Sequence, residues 1–388
     1  MEICEGVGTG EETETAEPLT VGSIERPIIM NEGFLHRGRF YLPILALILI
    51  LGVFPSAVAQ KNANDRIVLH LNTDEAEAAL AILDKSNAKQ PIGDADWQRL
   101  FATEPYTRLK KREASMHRDF TDDDFKNSVL SGDLLAKKDA LRHTLEEWKK
   151  ADLNASARRV LAYLPEQAHI RASVFPVIKP KANSFVFEPG TDPAIFLYLD
   201  PDESAAKFEN TVAHELHHIG FASASSLAEA RTKDLPANVK AAVEWMGAFG
   251  EGFAMLAAAG SPDVHPHASS SPEERARWDH DMANFNQDLE TLQSFFVDVI
   301  NQKLKTKDEI DERAYTFFGV QGPWYTVGYK MAVVIEKHYG GATLIECMLN
   351  PATLLARYDD AATEINRGGK EHLALWSPEL TQSIAAPK

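Results

Sequence analysis

Five residues, His214-Glu215-Leu216-His217-His218, combine the types and spacing that can do chemistry. On a helix of 3.6 residues per turn, positions four apart share a face, so His214 and His218 can grip one metal ion through their ring nitrogens. Glu215 lies about 100° around the helix from His214, where its carboxylate can reach a water on that ion. The pattern is the His-Glu-x-x-His signature of zinc metallopeptidases. Its physical content is a water made acidic by a cation, beside a base that takes its proton.

So short a match needs support from its surroundings. With 13 histidines in 388 residues, accident alone would produce it in roughly a few per cent of chains. Projected on a helix from Phe208 to Gly220, Phe208, Val212, Leu216 and Ile219 form one apolar stripe. His214 and His218 fall on the opposite side with Glu215 between them. One buried face and one ligand face are what a metal site needs. His217 lies off the axis of the pair and reads as a supporting or core-edge histidine rather than a ligand.

A catalytic zinc takes three protein ligands and leaves a fourth position for water. From Ala241 to Ala259 the only ionisable side chains are Glu244 and Glu251; the rest are Ala, Val, Trp, Met, Gly, Phe and Leu. A helix apolar nearly all round is buried, and buried carboxylates are rare unless they pair or hold a metal. Glu251 is the expected third ligand, because Gly250 and Gly252 beside it would admit a neighbouring helix. Glu244, seven residues earlier and expected on the same side, would support a ligand histidine or join an ion pair. The same stretch is nearly long enough to span a bilayer. Each central carboxylate would cost about 2.5–3.5 kcal/mol there, so a buried helix of a soluble region is expected instead. Tyr325 and Tyr329 share a helix face. Tyr325 follows Gly322-Pro323 at a helix start and is expected to hydrogen-bond the oxyanion formed when water attacks a carbonyl, with aromatic packing as the alternative.

His214, Glu215 and His218, followed by Gly250-Glu251-Gly252-Phe253-Ala254, resemble the gluzincin class of zinc peptidases. More narrowly, the chain resembles a family of secreted bacterial proteins regarded as zinc-dependent peptidases. That likeness rests also on Leu161-Ala162-Tyr163-Leu164-Pro165, Ile178-Lys179-Pro180, Asn183 to Phe187, Ile195 to Asp200, and Tyr325 to Tyr329, and it spans roughly residues 66 to 360. The resemblance implies two histidines and a downstream glutamate around Zn²⁺ and a peptide or protein substrate. It departs from thermolysin-type enzymes four residues after Glu251, where Met255 replaces an aspartate, so the histidines must be oriented by other groups.

The elements that must position these residues are mostly helical. Asp74 to Ser86 and Leu134 to Lys150 read as charged helices of a wall or lid, and Thr121-Asp122-Asp123-Asp124 as a helix cap rather than a calcium loop. Ser184 to Phe187 and Ala194 to Leu199 read as strands joined by a hairpin turn, one of them an edge to which an extended substrate could add. A Pro/Ser/His-rich loop from Gly260 to Glu274 holds His265 and His267, which read as ordinary loop histidines. Helices are expected over Glu274 to Lys305, Trp324 to Tyr339 (ended by Gly340) and Thr343 to Leu349.

Arg37 and Arg39 precede an apolar run from Leu42 to Phe54, and Ala57-Val58-Ala59 then Gln60 has the form of a cleavage site. We read an export leader at 1–59, with a signal peptide over 30–59 cut after Ala59 and Met30 or Met1 as the start. The protein is then periplasmic or secreted and free of the membrane once the leader is lost. Formal charge is −17; residues 1–59 hold 8 acids and 3 bases, so the remainder, with 49 acids and 37 bases, still carries −12. Nucleic acid is thereby an unsuitable partner. Cys4 leaves with the leader, and Cys347, among Leu344, Ile345, Met348 and Leu349, reads as a buried apolar residue.

The expectation is therefore an α+β, predominantly helical fold: a helical N-terminal region at 60–165, then a zincin-like catalytic region with a small sheet at 166–388, or one continuous unit over 60–388. The expected activity is peptide-bond hydrolysis by metal-activated water with Glu215 as general base. The alternatives are a zinc-binding extracytoplasmic protein without peptidase activity, and hydrolysis of a non-peptide amide. Oligomeric state is not legible.

Overall fold

The computed structural model describes residues 65–369 and 371–385; the expected leader, its cleavage site and Cys4 lie outside them. The fold is α+β and predominantly helical, with one small sheet. Strand β1 (Ile67–Leu71) opens the described chain. Helices α1 (Asp74–Asn87), α2 (Asp94–Phe101), α3 (Glu104–Ser115), α4 (Asp122–Val129), α5 (Gly132–Trp148) and α6 (Leu153–Leu161) follow. Next come β2 (Ile170–Val177), β3 (Phe185–Phe187) and β4 (Ala194–Tyr198), and then α7 (Ala205–Ala222), the helix bearing the histidine motif. The Thr121 cap forms as expected: Thr121 Oγ1 accepts from Asp124 N–H (3.0 Å) and Asp124 Oδ2 from Thr121 N–H (2.8 Å).

The sheet runs β1-β2-β4-β3. β1 and β4 lie parallel to β2 on its two sides, and β3 pairs antiparallel with β4 through Phe185–Phe196 and Phe187–Ala194. The hairpin reading of these last two strands therefore holds, and β3 is the edge. β1 and β2 were not legible: a parallel pair needs a long crossover, here all of α1 to α6, and no local pattern reveals its partner. Nor does Pro176 favour reading Ile170–Val177 as a strand. The structure removes the objection. β1 pairs only as far as Val174, and Asn72 N–H donates to Val174 O (3.0 Å), so the side of β2 where Pro176 lacks an N–H has no strand to serve.

The next donor on that side is Ile178 N–H, and Glu75 Oε2 of α1 accepts it at 2.9 Å. Glu75 is fully buried, and among the described residues its other oxygen has no partner. Burial pushes its carboxyl up to about 8, the Ile178 N–H opposing, from an ordinary 4.5. The folded state then keeps a proton that the unfolded chain gives up. Stability is full below the unfolded value and falls as pH rises through the folded one, by about 1.4 kcal/mol per unit in between. A Glu75→Gln variant keeps the acceptor and cannot ionise. Its melting temperature should match wild type near pH 4.5 and exceed it at pH 8; parallel pH profiles for the two proteins would contradict this account.

Two apolar cores organise the molecule. The first unites α1–α7 and the sheet, so the N-terminal helices share a core with the motif helix. Trp148 of α5 stacks on Phe208 at 4.3 Å and 12°, and its indole N–H donates to Glu203 O just ahead of α7. The second core is built from α9 (Ala237–Met246), which follows the short α8 (Ser225–Thr232), and from the later helices. These are α10 (Gly250–Ala259), α11 (Pro272–Met282), α12 (Phe285–Ile300), α13 (Lys307–Tyr315), α14 (Pro323–Tyr339), α15 (Gly341–Met348), α16 (Pro351–Arg367) and α17 (Pro378–Ile384). The helix expected over Glu274 to Lys305 is thus two helices, broken at Ala283-Asn284, which follow the turn bonds of α11. Ala258 of α10 enters the first core and Tyr163 enters the second, locking the two together. Cys347 is buried as expected. Among the described residues no helix is long and apolar enough to cross a membrane.

Candidate metal and hydrolytic site

The site lies where α7, from the first core, packs on α10 of the second, which in turn crosses α14. Ser204 caps α7 by accepting Lys207 N–H at 3.2 Å. Phe208, Val212, Leu216 and Ile219 are all buried, as the stripe requires. At its far end Gly220 lets α7 press on the turn that follows α6: a Cβ there would come 2.3 Å from Leu164 Cδ1. His214 and His218 remain part-exposed on the other face, with side-chain exposures of 15% and 31%.

α9 and α10 are joined by a tight 3₁₀ turn, Gly247–Phe249. This turn and the change of neighbours separate the two glutamates. Glu244 is exposed on α9, away from the histidines, while Glu251 is buried on α10 and aimed at them. The expectation that Glu244 shares the side of Glu251 is not met. The close approach expected at Gly250-Glu251-Gly252 occurs at one of the two glycines. A Cβ on Gly252 would lie 2.0 Å from Tyr329 N, and one on Gly328 would lie 2.5 Å from Phe249 O, so α10 and α14 cross backbone to backbone. A Cβ on Gly250 would meet nothing within 4 Å. Gly252→Ala should therefore cost about 3 kcal/mol or more, because backbone cannot swing aside as a side chain can. Gly250→Ala should be neutral or stabilising by up to ~1 kcal/mol. Denaturant midpoints of the pair test this, and similar values for both would contradict it.

The crossing brings three ligand atoms together. Glu251 Oε2 is 3.1 Å from His214 Nε2 and 3.4 Å from His218 Nε2, and the two ring nitrogens are 3.1 Å apart. Among the described residues, this trio is the group of histidine and acidic side chains that converges in this way. A tetrahedral ion with bonds of about 2.0–2.1 Å has ligand atoms about 3.3–3.4 Å apart. The observed triangle is thus one face of such a tetrahedron, and two imidazoles with one carboxylate are a donor set suited to zinc. The residues fit the ion.

Electrostatics agree with a cation at this point. Burial opposes charge on His218, but the Glu251 carboxylate outweighs it and pushes the imidazole up to about 9. Burial likewise works against the Glu251 anion, yet His218 and His214 hold its carboxyl well below the usual range. Glu215 is half-buried beside the trio and makes no side-chain hydrogen bond or ion pair among the described residues. The ring of Tyr325 lies 6.5 Å from that of His214 at 19°. Burial, then Glu251 and Glu215, push its phenol well above its ordinary value, so it stays a hydrogen-bond donor.

Other expected or weighed residues lie elsewhere. Tyr329 turns its ring to Trp278 (5.3 Å) and gives α10 its backbone rather than its hydroxyl. His217 is buried in the core, where burial first, then His218, hold it well below its usual value against the opposing backbone of Tyr163. Met255 is buried one turn after Glu251, and among the described residues neither His214 nor His218 makes an ion pair with an acid other than Glu251. His265 and His267 are engaged with Asp279, Ser270 and Gln321, away from the trio. Gln321 and Gly328 were not singled out by the sequence. The facing of Gly252 and Gly328 across two helices leaves no local trace, although Gly328 stands within the Tyr-x-x-Gly-Tyr element.

No curated protein and no solved structure matches the chain. A family model does, over residues 97–367, which contain every residue of the site. The chain belongs to the family described as "Putative zinc dependent peptidase (DUF5700)".

Proposed function

We propose that this chain is an exported zinc metallopeptidase that hydrolyses peptide bonds, with His214, His218 and Glu251 holding Zn²⁺ and Glu215 as general base. The observation that carries the reading is the tetrahedral face formed by His214 Nε2, His218 Nε2 and Glu251 Oε2, with an unengaged carboxylate next to it on the same helix. Zinc, when bound, supplies Lewis acidity, polarising a carbonyl and lowering the pKa of water from ~15.7 towards ~7. Glu215 takes the proton of the attacking water and passes it to the leaving amine nitrogen. The Tyr325 hydroxyl donates to the oxygen on which charge develops. The small sheet behind α7 is the basis for reading the whole as zincin-like, and the short edge strand β3 offers an extended peptide an outer edge on which to add.

Tyr325→Phe is expected to lower kcat about 100-fold with zinc content unchanged, since the ring stays and only the donor is lost. Steady-state rates beside metal analysis check this; an unaltered kcat would remove Tyr325 from the mechanism. The reading as a whole is tested on the chain from Gln60, free of the leader. Peptide-library cleavage that stops with chelator and returns with zinc supports it. Zinc without cleavage would favour a metal-binding protein of another role, and cleavage of amides other than peptides would move the substrate class.

A further inference from the structure

Between α10 and α11 the chain runs as a strap over residues 260–271, tied down along its length. Pro266 is buried and its carbonyl accepts from Asn210 Nδ2 at 3.4 Å, one helical turn before His214. His267 is the most engaged residue of the strap. Its backbone N–H donates to His265 Nδ1 (3.0 Å), whose ring also meets Asp279 (3.1 Å). Its carbonyl accepts from Arg275 at 3.4 Å. Its Nε2 is 2.8 Å from the side-chain nitrogen of Gln321, so the amide N–H donates and the ring accepts. Nδ1 then carries the proton and faces Ser270 Oγ at 3.0 Å. Burial holds the ring down to about 4, which keeps this neutral arrangement at working pH.

Gln321 is four residues before Tyr325 and borders Gly322, the cap of α14. A Cβ on Gly322 would lie 2.5 Å from Phe317 O, so this turn is compact and its shape sets the start of the helix. The His267 ring also packs on Trp278 at 5.3 Å, and Trp278 meets Tyr329 at 5.3 Å, four residues after Tyr325. One imidazole thus reaches α14 at two points flanking Tyr325, directly at one and through an indole at the other.

We propose that His267 is a positioning residue: by holding Gln321 and bracing Trp278, it fixes the first turns of α14 and so the place of the Tyr325 hydroxyl beside the site. The proposal rests on the hydrolytic role given to Tyr325 above. A hydroxyl that must meet a developing charge tolerates little displacement, since about 1 Å of misplacement costs on the order of 100-fold.

Three variants and one structural comparison test this. His267→Ala should lower kcat by about 10- to 100-fold with KM and zinc stoichiometry unchanged. His267→Gln, whose amide oxygen can accept from Gln321 where Nε2 did, should recover most of the loss. In a Tyr325→Phe background His267→Ala should have almost no further effect. An equal fold-loss in that background would overturn the proposal, as would loss of zinc together with kcat. The structural arm is a pair of crystal structures, zinc-loaded wild type and His267→Ala. The Tyr325 ring should leave its place beside His214 in the variant, and an unmoved ring overturns the proposal whether or not turnover is measured. A wild type that binds zinc and cleaves nothing would instead count against the hydrolytic reading, leaving the structural arm to decide the positioning role.

Discussion

Glu215→Gln is expected to keep its zinc and lose its turnover. General acid–base groups contribute about 10²- to 10⁴-fold, and here one carboxylate serves both proton transfers, so a loss towards the upper end is expected in kcat. KM should change little, because the carboxylate is not asked to hold the substrate. Stability should stay within ~0.5 kcal/mol, since Glu215 is half-buried and makes no side-chain hydrogen bond or ion pair among the described residues that glutamine would break. This separation makes the variant informative. A residue of structural importance would lower the melting temperature, and a ligand would lower metal content. Undiminished turnover in Glu215→Gln would sink the mechanism.

His218→Ala is expected to lose both metal and activity. It removes one vertex of a triangle whose edges are 3.1, 3.1 and 3.4 Å, and leaves Glu251 buried with His214 and the Tyr325 hydroxyl beside it. Two ligands bind zinc far more weakly than three, so the variant purified in equimolar zinc should contain close to none. The loss should also appear as stability. A ligand at a thousand times its dissociation constant adds about 4 kcal/mol to the folded state. Zinc should therefore raise the melting temperature of wild type by several degrees and leave His218→Ala where it was. A variant with full metal content would place the ion elsewhere.

The convergence of His214, His218 and Glu251 was legible in sequence because two different regularities point to it. His214 and His218 are one helical turn apart, and a carboxylate stands out in an almost wholly apolar helix. Choosing Glu251 over Glu244 needed Gly252, and the reason given for it holds at that glycine alone. The phase of Glu244 was missed because the 3₁₀ turn of Gly247–Phe249 is set by packing rather than by composition. Half the sheet was legible. β3 and β4 are neighbours in sequence joined by a turn, whereas β1 finds β2 after about a hundred residues. The role of the N-terminal helices was hidden for the same reason. Trp148 against Phe208, and the entry of Tyr163 and Ala258 into opposite cores, are contacts between distant segments. Gln321 carries no chemistry that marks it in advance; only its contact with His267 gives it meaning.

The central claim is that His214, His218 and Glu251 hold one zinc ion. Anomalous diffraction at the zinc edge, from crystals of the chain beginning at Gln60, tests it most directly. The account predicts a single strong peak within about 2.0–2.2 Å of His214 Nε2, His218 Nε2 and Glu251 Oε2, with the side facing Glu215 open. A zinc peak at any other place, or none between these three residues at saturating zinc, would contradict it.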